Sequence, residues 1–146
     1  MKKISVAIIT RNEERNIRDC LESVRWADEI VVVDNGSTDS TEAICREYGA
    51  RFFTEEWKGY SAQKNSAIDK TRNEWVLSLD ADERVTPELR REIEETLDVP
   101  EPAEGYFVAR KNFFSGRWIR RCGWYPDLNL RLFLKDKGRF QERSVH

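Results

Sequence analysis

The sequence predicts an α/β domain: a doubly wound, mostly parallel sheet with an antiparallel hairpin added after the parallel part. Three observations carry that prediction. Short apolar runs alternate with stretches of helical character through residues 4–98, in the order βαβαβαβα. The runs are apolar almost throughout, as expected of strands covered on both faces. Two of them end in acids: Ile30-Val31-Val32-Val33-Asp34, and Trp75-Val76-Leu77-Ser78-Leu79-Asp80-Ala81-Asp82-Glu83. In open α/β sheets ligands bind beyond the carboxyl ends of the strands, so the two acids mark a candidate site on one sheet edge.

In chain order, Ile4-Ser5-Val6-Ala7-Ile8-Ile9-Thr10 reads as the first strand, broken by Thr10-Arg11-Asn12-Glu13. Asn12 is expected to cap a helix that places Ile17, Leu21 and Val24 on one face. Residues 30–34 form the second strand. The turn Asn35-Gly36-Ser37-Thr38-Asp39-Ser40-Thr41-Glu42 leads into a helix, with Ser37 or Thr38 as cap and Asp39 and Glu42 favourable in its first turn. That helix stops at Gly49. Arg51-Phe52-Phe53-Thr54 is a short third strand, and residues 61–70 are a helix with small residues on one side. Residues 74–80 make the fourth strand. Thr86-Pro87-Glu88 opens the next helix with a cap, a proline at the first helical position and an acid. After Pro102 the pattern turns antiparallel: a strand over 105–114, a turn at Ser115-Gly116, a return at Arg117-Trp118-Ile119-Arg120, and a further strand over 128–134.

A chain of 146 residues suits one domain with a real core, residues 1–146, in which 1–98 and 103–146 form two parts. Five Trp, seven Phe and four Tyr argue against disorder. A net charge of −2 excludes the global basic field of a nucleic-acid binder. No stretch reaches the roughly 20 apolar residues of a membrane span, and the apolar run after Lys2-Lys3 is too short for a signal peptide. The expectation is a cytoplasmic protein. Cys20, Cys45 and Cys122 are odd in number and widely spaced, which predicts reduced thiols rather than disulfides or a zinc site. The last residues lack terminal character, so a domain cut short after His146 is expected.

The chemistry rests on Asp80-x-Asp82. On an extended backbone these carboxylates would point to the same side, roughly 6.5 Å apart, and could share a hard cation. Mg²⁺ or Mn²⁺ takes few protein oxygens and completes its shell with phosphate and water, so such a pair suits a metal diphosphate. The bland alternative is a solvated acidic turn. Asp34, ending the second strand, can accept bonds from ribose hydroxyls or a base N–H. Neither GxGxxG nor GxxxxGK[ST] is present, so phosphate charge would fall to the metal and to single basic residues such as Arg11 or Lys64. Asp39 reads equally well as an ordinary helix-start acid.

Together these motifs resemble the inverting family 2 glycosyltransferases of GT-A fold, which use nucleotide-diphosphate sugars. The matching segments are Val6-Ala7-Ile8-Ile9-Thr10-Arg11-Asn12-Glu13, Val33-Asp34-Asn35-Gly36-Ser37-Thr38-Asp39-Ser40-Thr41, Gln63-Lys64-Asn65-Ser66-Ala67 and the DXD motif Asp80-Ala81-Asp82-Glu83. The segment 59–65, Trp124-Tyr125-Pro126-Asp127 and Arg131-Leu132-Phe133 resemble the branch that adds sugars to the lipopolysaccharide inner core. The resemblance implies that Thr10 and Glu13 line the nucleotide pocket, with Asn35 and Gly36 in the nucleotide loop. It further implies that Asp34 pairs with the base, that Asp80 and Ala81 lie against ribose and diphosphate, and that Asp82 binds the metal. The implied reaction is a single displacement in which a carboxylate deprotonates the acceptor hydroxyl. Asp127 is the visible candidate base, with Glu142 or an acid beyond His146 as alternatives; Asp127 as a plain turn residue stays open, and so does His146 as a metal or diphosphate ligand.

The basic, aromatic stretch over 110–131 fits hairpin packing with a solvated face, or an acidic acceptor such as a phosphorylated glycolipid at a membrane surface, better than nucleic acid. Two rival functions remain beside the glycosyltransferase. A sugar nucleotidyltransferase would need a glycine-rich loop after the first strand, which Thr10-Arg11-Asn12-Glu13 does not supply. A nucleotide-sugar-binding fragment without turnover would hold the donor half alone.

Overall fold

The computed structural model describes residues 2–109, 118–119 and 128–138. Its elements in chain order are β1 (Ile4–Thr10), α1 (Ile17–Glu22), β2 (Glu29–Asp34), α2 (Thr41–Glu47), β3 (Arg51–Thr54), α3 (Tyr60–Asp69), β4 (Trp75–Ser78), α4 (Pro87–Leu97), β5 (Gly105–Ala109), β6 (Trp118–Ile119) and β7 (Leu128–Leu134). The strands form one sheet in the order β3-β2-β1-β4-β7-β5-β6. β3, β2, β1 and β4 are parallel. β7 runs antiparallel between β4 and β5, and β6 pairs antiparallel with β5. The expected mixed sheet is therefore present. β7 joins the later strands to β4, so the antiparallel part continues the same sheet.

Alternation along the strands divides two apolar layers. Ile4, Val6 and Ile8 of β1, Ile30 and Val32 of β2, and Trp75 and Leu77 of β4 pack on one face with residues of α1, α2 and α4. Ala7, Val31, Val33 and Val76 face the other way, with Ala67 and Ile68 of α3 and with Phe133. Both faces are covered, which is why the strands read as nearly continuous apolar runs. Ile17, Leu21 and Val24 are all fully buried, as their helical spacing predicted. Cys20 and Cys45 are buried free thiols. Burial pushes the Cys45 thiol up to about 12 and the Cys20 thiol higher still, so neither is a nucleophile at neutral pH. Cys122 lies outside the described residues.

Two helix starts differ from expectation. α1 begins at Ile17 after Asn16, and Asn12 does not cap it. Asn12 instead takes a left-handed backbone, φ +51°, in the loop between β1 and α1. α2 begins at Thr41, with neither Ser37 nor Thr38 as cap. Asn12 and Ser37 instead bond to each other across the two loops, as the site shows. α4 starts as predicted: Thr86 Oγ1 accepts the Leu89 N–H at 3.0 Å and Pro87 opens the helix. The turn at Ser115-Gly116 lies outside the described residues, but the pairing of β6 with β5 agrees with a hairpin there.

Candidate functional site

The strand order branches at β1: β2 and β3 lie on one side of it and β4 on the other. Loops leaving β1 and β4 therefore diverge at the carboxyl edge, the usual ligand position in such sheets. Every described candidate residue sits along this edge.

One wall is built by the loops after β1 and β2. Thr10, buried at the end of β1, donates its hydroxyl to Asp34 Oδ1 at 2.6 Å. The Asn35 N–H donates to the Thr10 carbonyl at 2.9 Å, extending the pairing beyond the strands. Asp34 is only 2% exposed. Besides Thr10 it accepts the Ser37 hydroxyl on Oδ1 at 2.6 Å and the Ser37 N–H on Oδ2 at 2.7 Å. Gly36, φ +72°, supplies the left-handed backbone that lets the chain fold back onto Asp34. The carboxylate expected to meet the base thus shapes the loop over 35–37, with Oδ2 holding the lesser share of those bonds.

The two loops are then tied side by side. The Asn12 N–H donates to Ser37 Oγ at 2.7 Å, and Asn12 Oδ1 accepts the Thr38 N–H at 2.8 Å. The Glu13 N–H donates to Thr41 Oγ1 at 2.9 Å, and the Ser40 N–H donates to the Glu14 carboxylate at 3.0 Å. Asp39 accepts the Thr41 hydroxyl, the Thr41 N–H and the Glu14 N–H. Desolvation works to raise the Asp39 carboxyl, but these bonds outweigh it and hold it below its ordinary value. Asp39 is a structural acid of the loop pair. Glu13 is half-buried and its carboxylate accepts from Asn16 Nδ2, while Arg11 is exposed.

The other wall is the acidic segment after β4, and here the geometry corrects the sequence reading. The extended backbone ends at Ser78, so Asp80 and Asp82 are not on one face of a strand. Residues 80–83 instead form a tight turn, in which the Glu83 N–H donates to the Asp80 carbonyl at 2.9 Å and the Asp80 N–H donates to Glu83 Oε1 at 2.9 Å. Ala81 packs its methyl into the core at 4% exposure, so its side chain does not face solvent at this edge. Asp82 is exposed. Asp80, partly exposed, meets Lys64 Nζ of α3 at 3.3 Å and the Arg131 guanidinium of β7 at 3.7 Å.

Glu83 and Arg131 had no assigned role in the sequence. Both are buried, at 7% and 3% exposure, and they form a bidentate pair at 2.7 and 2.8 Å. A charged residue inside the otherwise apolar Leu130-Arg131-Leu132-Phe133 run was the available signal. Asp127, Glu142 and His146, the candidate base and ligands, lie outside the described residues.

Three carboxylates (Asp80, Asp82, Glu83) against two cations (Lys64, Arg131) leave one formal negative charge on this wall. Among the described residues no group of three or more metal-ligating side chains gathers. The donor set nevertheless fits a hard ion that takes one or two protein carboxylates and finds its other ligands on a diphosphate and water.

The chain is similar to known proteins in sequence and in fold. The profile of glycosyl transferase family 2 matches residues 5–143. The chain is 36% identical to the lipopolysaccharide core biosynthesis glycosyltransferase LpsC of Rhizobium meliloti, over 98% of this chain and 55% of that protein. It is 48% identical to an uncharacterized glycosyltransferase of Rickettsia typhi, over 64% of this chain and 32% of that one. The chain thus spans from about a third to about half the length of these relatives. Among solved structures, S. aureus TarS 1-349 in complex with UDP-GlcNAc superposes with a TM-score of 0.55 at 29% identity, over 66% of this chain and 31% of that one. Glucosyl-3-phosphoglycerate synthase of Mycobacterium tuberculosis in complex with UDP shares the fold at a TM-score of 0.66 and 21% identity, over 92% of this chain and 57% of that one. The α/β architecture is that of the GT-A glycosyltransferases. With the profile matched over nearly its whole length, the chain belongs to glycosyl transferase family 2.

Proposed function

We propose that this chain forms the donor-binding part of an inverting glycosyltransferase that moves a sugar from a nucleotide-diphosphate sugar to a hydroxyl of a saccharide acceptor, on a lipopolysaccharide core or another cell-envelope glycolipid. The observation that supports it most is the placement of two polar groups at one carboxyl edge of the sheet: the buried Thr10–Asp34 pair with its Asn35-Gly36-Ser37 loop after β1 and β2, and the Asp80–Lys64 pair with exposed Asp82 after β4. Similarity to LpsC favours the acceptor class. Such an acceptor would bring the protein to the cytoplasmic face of a membrane as a peripheral partner.

In this reading Thr10, Glu13, Asn35 and Gly36 form the nucleoside end, and Asp34 both shapes that loop and offers Oδ2 to the base. Asp82 and Asp80 would hold Mg²⁺ or Mn²⁺, with the Ala81 backbone between them. The ion, when bound, offsets charge on the departing diphosphate. Lys64, already beside Asp80, and Arg11 add positive charge at the same end. The base that accepts the acceptor proton is assigned to Asp127.

The test is a thermal-shift titration of the full chain with UDP and UDP-sugars, with and without Mn²⁺, followed by donor turnover. Nucleotide should stabilise the wild type in a Mn²⁺-dependent way. At a nucleotide concentration of about 100 times Kd the gain is roughly 2.7 kcal/mol. Asp82→Ala should remove the Mn²⁺ dependence and the turnover. No stabilisation by any nucleoside diphosphate would refute the site. Binding without turnover would instead support a donor-binding fragment.

A further inference from the structure

β7 carries an irregularity where it passes β5. Tyr106 stands opposite Leu132 and Phe107 opposite Leu130, so Arg131 is the extra residue of a bulge on the side facing β5. A bulge of this kind re-aims a side chain. Here the guanidinium reaches the end of β4: it donates to the Ser78 carbonyl at 3.1 Å, forks onto both oxygens of Glu83, and lies 3.7 Å from Asp80 Oδ2. Glu83 Oε1 in turn accepts the Asp80 N–H. A cation from the antiparallel half of the sheet therefore closes the turn that carries the candidate metal carboxylates.

We infer that Arg131, acting through Glu83, is a positioning residue that sets the 80–83 turn in the shape that binds the metal nucleotide; the inference rests on the function proposed above. The pair is buried and charged on both sides. A buried ion pair is a poor source of stability, since hydrophobic residues of similar volume do as well or better. A fixed, planar, bidentate fork orients its partner, and groups that orient ligating carboxylates tune metal binding from behind them. The bulge is the backbone device that makes the fork available at this position.

The experiment measures Mn²⁺-dependent UDP binding by calorimetry, with thermal unfolding alongside, for wild type, Arg131→Lys, Glu83→Gln and the double variant Arg131→Met/Glu83→Leu. Lysine keeps the charge but not the fork. The double variant removes the charges together and leaves no buried ion unpaired. The expected result is a folded double variant of near wild-type thermal stability whose Mn²⁺–UDP affinity falls about 10–100-fold, with Arg131→Lys falling by a similar factor. A double variant that binds Mn²⁺–UDP within about twofold of wild type overturns the inference, because the pair would then be core filling. If the single variants do not fold, the double variant alone decides. A wild type that binds no nucleoside diphosphate in Mn²⁺ refutes the functional reading itself and the inference with it, which separates the two failures.

Discussion

Asn12 holds a left-handed backbone at φ +51°, a conformation that costs most L-residues about 1–2 kcal/mol and that asparagine tolerates better than most. Its backbone and side chain together bridge to Ser37 and Thr38 on the neighbouring loop. Asn12→Ala should therefore lower stability by about 1–2 kcal/mol in urea unfolding, while Asn12→Gly, which keeps the backbone freedom, should cost less. An alanine variant as stable as the glycine variant would remove backbone strain from the explanation. At this scale the site was legible by residue type but not by geometry. Asp34, Asp80 and Asp82 declared themselves as acids after apolar runs. Their surroundings did not, because the partners of Asp34 and Asp80 include Thr10, Lys64 and Arg131, each more than ten positions away. The turn at 80–83 replaced the expected extended pair because Glu83 answers Asp80 from both its N–H and its carboxylate.

Helix α4 shows what an element can announce about itself. Thr86 accepts from Leu89, Pro87 occupies the first helical position, and Leu89, Ile93 and Leu97 turn one buried stripe to the sheet. All of this is local chemistry, and the boundary was readable from Thr86-Pro87-Glu88 alone. Thr86→Ala should cost about 1 kcal/mol in the same unfolding assay, with Thr86→Ser close to wild type. A loss equal in both variants would point to the threonine methyl rather than the cap. The starts of α1 and α2 were misread for the complementary reason. Asn12 and Ser37 have capping chemistry but bond to each other across the two loops, while Asp39 divides its carboxylate between Thr41 at the start of α2 and the Glu14 N–H of the opposite loop; a cross-loop bond leaves no periodic mark in the sequence. The Arg131 bulge was equally invisible, since one extra residue in β7 preserves the Leu-x-Leu appearance.

On the scale of the whole molecule, ion pairs tie the layers together around the sheet, and they set its response to acid. Glu55, just beyond β3, accepts from Lys58, Lys70 and Ser66. Those bonds hold its carboxyl at about 2, against an ordinary value of 4.5. At the opposite edge, burial works to raise Glu29, but bonds from the Arg72 amide, Ser5 and Arg51 outweigh it and leave it lowered. A carboxyl whose folded value is depressed binds its proton more readily in the unfolded chain. Its contribution to stability is complete above the unfolded value and disappears as pH falls through the folded one. The wild type should thus lose stability progressively from about pH 4.5 down to about pH 2, the window set by Glu55. Glu55→Gln mimics the protonated state without the charge. The variant should be less stable than wild type at pH 7, and the gap should narrow through that window and close near its lower end. Urea unfolding of both proteins at half-unit steps of pH checks this. A gap that stays constant across the window would mean that Glu55 acts through packing of the β3–α3 corner rather than through its charge.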